Sequence, residues 1–579
     1  MTDIHYCKSK KIDLGKLAHD FQRENSDSLT KKIEYNPFHI QNLQHYNPVY
    51  SMFFEMNPTN YNAIALNHPH HFVDLNTVLE EGTYKKISKD IHIKYAPLLD
   101  PIHYLIGKYE KERNLTILPS LSESVIKGLP KIESLYNSAY MDCFFSYLSS
   151  NLLHKYDFKN GIDFYGSYLG VQEKFKMDIS DDYEYLLESD FFHSKNNVLY
   201  EIESSIDLPI MKGSSFSVKP KLHLGEEEIG IDLDAEDILD NDPISEKEEV
   251  STLELIYEKE KEDEKEKEDD ESSEDSAENH SVNMEEDAEE NGEKEEWSDI
   301  EDSQDSGSSM EEPIIHAYIR DYPIQMICLE KGEGTLDALL ENNELEEPQI
   351  ASALFQVVMS LAAFQKAYDF THNDLHTNNI VYFSTENTHL EYTFLAKTYK
   401  VPTYGRIYKI IDFGRSIYRF QDKILGSDSF ALGGDANGQY NCKPFFNEKK
   451  PEIKTNPSFD LCRLGCSMYD FVFDGLDEDE IRSSRKKWTE VQKTIARWCM
   501  DDKDKNILYT SSGEERYPNF KLYKMIARMV HAHTPENQMS FGLFSQYDIS
   551  KKADKKKKKN KPMDCICKIN IDIIQKLYV

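Results

Sequence analysis

The chain has 579 residues, with 105 Asp and Glu against 67 Lys and Arg, a net charge of −38 and nine cysteines. It is long enough to bury a large core in more than one compact unit. The opening "MTDIHYCKSKK" lacks the apolar centre of a signal peptide and no apolar run has the length of a bilayer span. Neither close cysteine pair, Cys462/Cys466 or Cys565/Cys567, has partners at zinc-ligand spacing. The composition therefore excludes a secreted disulfide scaffold and a membrane protein, and predicts a soluble chain with reduced thiols inside a cell.

Residues 1–60 read as an N-terminal extension, polar and aromatic without a motif at its start. "EEGTYKKISKDIHIKY", Glu80 to Tyr95, offers one glycine, Gly82, and a short β-rich run that reaches Lys94. Lys127 in "SVIKG" ends a similar run. "NSAYMDCFFSYLSSNLLHKY" reads as a helix with Phe145, Leu148 and Leu152 on one face; it carries Asp142, and Glu133 lies just before it. An insert is expected from 180 to 315. Between Glu246 and Asp302 it holds 28 Asp and Glu against 6 Lys. Like charges repel there, and the apolar material is too scarce to offset the entropy of ordering, so the tract is expected to be disordered. It could serve as a linker or dock a basic partner. Ser272, Ser273 and Ser298 lie among acidic residues, as acceptors of an acidophilic kinase do.

Beyond the insert, "IQMICLEKGEGTLDALLEN" begins as a strand. "EEPQIASALFQVVMSLAAFQKAYDF" places Ile350, Leu354, Val357, Leu361 and Phe364 at helical spacing, behind a Glu346-Glu347-Pro348 start. The polar run "FTHNDLHTNNIVYF", Phe370 to Phe383, follows this helix and closes on a strand. "IYKII" is strand-like again and ends at Asp412-Phe413-Gly414. "PSFDLCRLGCSMYDFVF" reads as an amphipathic helix with Asp460 at its start. "KKADKKKKKNK", Lys551 to Lys561, reads as a basic tail.

The order helix, polar loop, strands and Asp-Phe-Gly has a chemical meaning. Phosphoryl transfer from ATP needs a carboxylate to orient the attacking hydroxyl and two oxygen ligands to hold magnesium on the phosphates. Asp374 would be the base, and Asn379 and Asp412 the magnesium ligands. "HNDLHTNN" resembles the protein-kinase catalytic loop H-R-D-L-x-x-x-N, and "DFG" the kinase metal-binding triplet. The resemblance covers roughly His316 to Met529. It implies ATP and Mg2+ as cofactors, a gatekeeper at Cys328 and adenine recognition by the backbone of Leu329 and Lys331. It also implies a brace from Asp460 to the catalytic loop. "IHIK" resembles the kinase V-A-I-K strand, which makes Lys94 the phosphate-holding lysine, with Asp142 where the family has Glu; Lys127 and Glu133 are the alternatives. Gly82 is the single residue available for a glycine-rich loop. Asn373 stands where the family has the Arg that pairs with a phosphorylated activation segment.

The resemblance implies an α+β, bilobal protein-kinase-like fold. A β-rich small lobe spans 61–179 and 316–331, a mainly helical large lobe spans 332–550, and a basic tail spans 551–579. "DLH" is shared with haspin-like kinases and with small-molecule kinases of the aminoglycoside and choline kinase type. The 32 residues between Asn379 and Asp412 imply an elaborated β-insert, as in haspin. Together with an AT-rich compositional bias, "YKVPTYGRIYKIIDFGRSIY" and "APLLDPIHYLIGKY" resemble the protein kinases of nucleocytoplasmic large DNA viruses, the mimivirus-like group in particular. That resemblance implies a Ser/Thr-type kinase with a protein substrate, made in host cytoplasm or packaged in the virion; the Lys551–Lys561 block leaves nuclear import open. No specific nucleic-acid site and no membrane partner is read. The alternatives are a pseudokinase scaffold and a small-molecule kinase.

Overall fold

The computed structural model describes residues 4–8, 10–24, 34–66, 69–122, 126–204, 314–474, 485–510, 513–550 and 565–578. The acidic tract 246–302, its three serines and the Lys551–Lys561 block lie outside the described residues.

Mixed α and β structure with several sheets follows from the sequence pattern. The first strands are β1 (Tyr6–Lys8), β2 (Ile40–Gln44), β3 (Ile64–Leu66), β4 (His70–Asp74), β5 (Thr77–Glu80), β6 (Lys86–Ser88) and β7 (Ile91–Pro97). They are followed by β8 (Phe164–Asp178), β9 (Tyr200–Ser204) and β10 (Ile315–Glu330). β10 is apolar on both faces over its second half, "IQMICL", and is buried there, as a central strand should be. It lies between β7 and β8 in the order β2-β8-β10-β7, with β9 on its first half. All these pairings are antiparallel, and the register sets Lys94 opposite Ile327 and Ile93 opposite Cys328. β4, β5 and β6 form a separate three-stranded sheet, and β1 pairs with β3.

The expected helix is present as Ser138–Tyr156. The Asn137 side chain accepts from Ala139 N at its start, and Asp157 closes it in the left-handed region. Every residue from Ala139 to Leu152 is buried, so this helix is enclosed on all sides.

The second long helix, Glu347–Tyr368, starts in a reciprocal capping box between Glu346 and Gln349, with Pro348 in its first turn. By length and composition it is apolar enough to cross a membrane, in contrast to the expectation that no segment is. Most of it is buried inside the protein, so its apolar character is accounted for by core packing. Next come β11 (Gly334–Thr335, before the helix), β12 (Ile380–Ser384), β13 (His389–Phe394), β14 (Lys397–Pro402) and β15 (Arg406–Ile410). β11, β12 and β15 form one sheet; the β13–β14 hairpin is the elaboration between Asn379 and Asp412. β16 (Ile417–Phe420) and β17 (Lys423–Gly426) form a hairpin after Asp-Phe-Gly.

The helix Phe459–Phe473 packs against Glu490–Trp498 at Gly465, where an added Cβ would meet Trp498 Cβ at 2.7 Å. Three stretches differ from the expected boundaries. β2, from the presumed extension, joins the central sheet. Residues 183–204, assigned to the insert, form two short helices and β9, which pairs with β10. β18 (Ile566–Asn570), assigned to the tail, pairs parallel with β13, and Leu577 is buried. Each of these segments has apolar residues to bury, which a reading by charge overlooks.

Candidate active site

The polar run after the long helix is internal wiring more than surface loop. Phe370 and Leu375 are buried on either side, which carries His372 and Asn373 into the core with no exposure at all. Buried polar groups must be paired. The backbone N–H groups of His372 and Asn373 both donate to Asp460, at 2.9 Å each, from the first turn of Phe459–Phe473. His372 Nε2 contacts Ile411 O at 3.0 Å. Asn373, at φ 66° in the left-handed region that Asn tolerates, donates from Nδ2 to Arg415 O at 3.1 Å and accepts from Tyr440 OH at 2.9 Å. An uncharged side chain thus links this loop to the segment after Asp-Phe-Gly. Burial of Asp460 outweighs its contacts and pushes its carboxyl up to about 6.

Asp374 follows this anchored stretch. Its Oδ1 accepts from Tyr523 OH at 2.8 Å, and Arg415 Nη1 lies 3.8 Å from Oδ2. Arg463 Nε donates to the same Tyr523 oxygen at 2.8 Å. Burial raises the Asp374 pKa, but the charges of Arg415, Arg463 and His376, with the Tyr523 bond, outweigh it and hold the pKa below the ordinary carboxylate value. Asp374 is therefore a proton acceptor at neutral pH. Asn379 Nδ2 contacts Asp374 O at 2.9 Å and His376 Nε2 at 3.0 Å. Both contacts use its amide nitrogen, so Oδ1 remains as a ligand-type oxygen. Burial lowers the His376 pKa, which keeps the imidazole neutral and able to accept from Asn379.

Asp412 is brought beside this loop because Ile411 N donates to Asn379 O at 3.0 Å. Its backbone is left-handed, at φ 63°. Lys94 Nζ lies 2.7 Å from Asp412 Oδ1 and 2.7 Å from Asp142 Oδ2. Asp142 Oδ1 in turn accepts from Phe413 N at 2.9 Å. Burial pushes both carboxyls up. Lys94 more than offsets this at Asp412, which falls to about 2, but not at the enclosed Asp142, whose pKa stays raised. Burial alone would lower the Lys94 pKa; the two carboxylates win and raise it. Strand β7, the helix Ser138–Tyr156 and the Asp-Phe-Gly turn thus meet at one ammonium. The shorter Asp arm suffices because the helix lies close. Phe413 packs on Phe145, Phe364 and Phe370 and fixes the turn from behind.

The residues fit a magnesium–nucleotide complex. Asp412, with its side chain 46% exposed and strongly acidic, and Asn379 supply hard oxygens for the metal, and Lys94 supplies a cation for phosphate.

The structure does not bring every expected residue here. Gly82 lies in the turn between β5 and β6 at φ +84°, and its neighbours Glu81 and Tyr84 face His71 and Lys10 rather than Lys94. Leu329 is buried within β10 between His92 and Phe164. The Lys331 amide donates to Asp90 O at 3.2 Å, so this expected adenine donor is already engaged within the chain. Lys127 is exposed, and Glu133 accepts from Gly128 N at 3.1 Å; neither joins the Lys94 cluster. Sequence reasoning missed Tyr523, Arg463 and Arg415 around Asp374. Arg463 could have been found at three residues beyond Asp460 on one helix face. Tyr523, 149 residues from Asp374, gave no signal.

No protein-family model matches the chain. Over 118 residues it is 36% identical to the serine/threonine-protein kinase haspin of Mus musculus, a stretch covering 19% of this chain and 15% of haspin. The similarity supports a relation to protein kinases in general.

Proposed function

We propose that the chain is a protein kinase that transfers the γ-phosphoryl group of Mg-ATP to a Ser or Thr hydroxyl of a protein. The observation that carries this reading is the convergence of Lys94, Asp142 and Asp412 beside a loop holding Asp374 and Asn379, itself braced by Asp460. On this reading β7, β8 and β10 belong to a small lobe, the helices after Glu347 to a large lobe, and the nucleotide lies in the cleft between them.

Magnesium, when bound, neutralises the phosphate charge and orients the transferring group. Asp412 and the Asn379 side-chain oxygen would hold it. Lys94 would bind phosphate oxygens, with Asp142 keeping its ammonium in place. Asp374 Oδ2 would accept the proton of the acceptor hydroxyl while Oδ1 stays oriented by Tyr523. The hydroxyl oxygen forms the new bond to phosphorus, the bond to the bridging oxygen breaks, and ADP leaves with that electron pair. Asn373 ties the catalytic loop to Arg415 and Tyr440 by neutral hydrogen bonds, so the reading needs no phosphorylated activation segment.

A pseudokinase scaffold draws support from the placement of Gly82 and the engaged Lys331 amide. The Ser/Thr preference, the viral origin and an intracellular setting rest on sequence resemblance and belong to the same proposal. The test is transfer from γ-labelled ATP to the protein itself and to basic and acidic protein substrates. Asp374→Asn should bind ATP and cut transfer by about a hundred- to ten-thousand-fold. Label transferred at full rate by the variant overturns the role of Asp374; magnesium-dependent ATP binding without transfer by the wild type points to a small-molecule acceptor or a missing activator, and silence without nucleotide binding favours the scaffold.

A further inference from the structure

A second cluster of reactive side chains lies apart from this site. Cys7 on β1 and His71 on β4 are buried, at 7% and 4% exposure, with Cys7 Sγ 3.8 Å from His71 Nδ1. Glu81, just after β5, places Oε2 3.3 Å from His71 Nε2, an ion-pair contact, and this oxygen is enclosed. These two contacts use different ring nitrogens, and a metal would take only one of them; with one donor atom from each residue, the three lie within 4.8 Å of one another. Ligand atoms around tetrahedral zinc stand about 3.4 to 3.6 Å apart, as bond lengths near 2.0 to 2.3 Å require. Closure by about an ångström, at a Glu81 side chain 36% exposed, reaches that geometry.

We propose that Cys7, His71 and Glu81 form a three-ligand site for zinc, with water in the fourth position. A thiolate, an imidazole and a carboxylate form a borderline-soft donor set that suits zinc and not magnesium or calcium. Binding forms a sulfur–metal bond and releases the Cys7 thiol proton to solvent. The Lys10 ammonium shares this corner, 5.8 Å from the Tyr84 ring. Counting it with a Cys7 thiolate and the Glu81 carboxylate leaves one net negative charge, which still attracts a divalent cation. The neighbouring cluster His70, His154 and Asp163 differs in this respect. Asp163 Oδ1 already faces His154 at 2.7 Å and Ser150 at 3.1 Å, and the Lys89 ammonium fills the cation position 3.3 Å from Oδ2.

The metal would staple the N-terminal strand to the β4–β5 hairpin. His5, two residues before Cys7, receives Tyr147 OH on its carbonyl at 2.9 Å, and its N–H reaches the same oxygen at 2.7 Å. Tyr147 lies on the helix that carries Asp142, so the staple braces that helix from behind. The inference is independent of the kinase reading.

The test is titration of the full chain, stripped with a chelator, with cobalt(II), and metal analysis after zinc loading and gel filtration. One equivalent should bind, with a thiolate-to-cobalt charge-transfer band that Cys7→Ser abolishes. Glu81→Gln should weaken cobalt binding about tenfold or more, since even outer-shell partners contribute that much. Circular dichroism checks the fold of both variants. Absence of the band in the wild type, its retention in Cys7→Ser, or unchanged affinity in a folded Glu81→Gln overturns the site.

Discussion

Replacing Lys94 by Met, Asp142 by Asn, and both together measures the coupling at the centre of the site. Asp142 is 3% exposed, and its oxygens serve Lys94 and the Phe413 N–H. Lys94→Met leaves Asp142 and Asp412 facing one vacated position, and stranding a buried charge in this way costs about 3 kcal/mol. Asp142→Asn should cost less, about 1–2 kcal/mol, because Asn Oδ1 can still accept from Phe413 and Lys94 keeps Asp412 at 2.7 Å. The double variant should lose about 2–3 kcal/mol, as replacement of a whole buried pair is cheaper than removal of one partner, which gives a coupling of about 2 kcal/mol. Urea unfolding of the four proteins at neutral pH reads this cycle directly. Additivity within about 0.5 kcal/mol would refute the pair as a coupled unit.

Three further outcomes follow from the same geometry. Tyr523→Phe removes one hydrogen bond to the Asp374 carboxylate, so the acid limb of the pH–rate profile for transfer should move up. Turnover should fall about tenfold, the equivalent of one charge-assisted bond; an unmoved limb would show that Tyr523 does not act on Asp374. Asp460→Ala strands the buried N–H groups of His372 and Asn373 and should destabilise the protein by about 2–5 kcal/mol, and Asp460→Asn, which keeps one acceptor, by about half of that; thermal unfolding compares them. The Asp412 pKa is depressed from 3.8 to about 2, so the stability it contributes is complete above pH 4 and is lost as pH falls from 4 to 2. Unscreened, that shift is worth about 2.4 kcal/mol; for a side chain nearly half exposed, solvent reduces it to about 1 kcal/mol. Acid unfolding of Asp412→Asn against the wild type should show the difference closing over this range.

Elements whose signals are local were legible in the order of the amino acids. The Glu346-Glu347-Pro348 start and the spacing of Ile350 to Phe364 specify the long helix because capping and 3.6-residue periodicity act within a few residues. Asp374, Asn379 and Asp412 could be singled out because one loop and the end of one strand carry all three. Asp142 was legible as a candidate, but the choice of Lys94 and Asp142 over Lys127 and Glu133 was made by the approach of a helix to β7, a distance no periodicity encodes. The same holds for Tyr523, which reaches Asp374 through the packing of Phe520–Met529, and for Cys7, which meets His71 only because β1 pairs with β3. Gly82 shows the converse. A glycine in the expected order before the lysine strand was carried elsewhere, because its hairpin forms a sheet of its own. Local propensity and short motifs decide which residues are suited to chemistry; the pairing of distant strands and the burial of helix faces decide which of them meet.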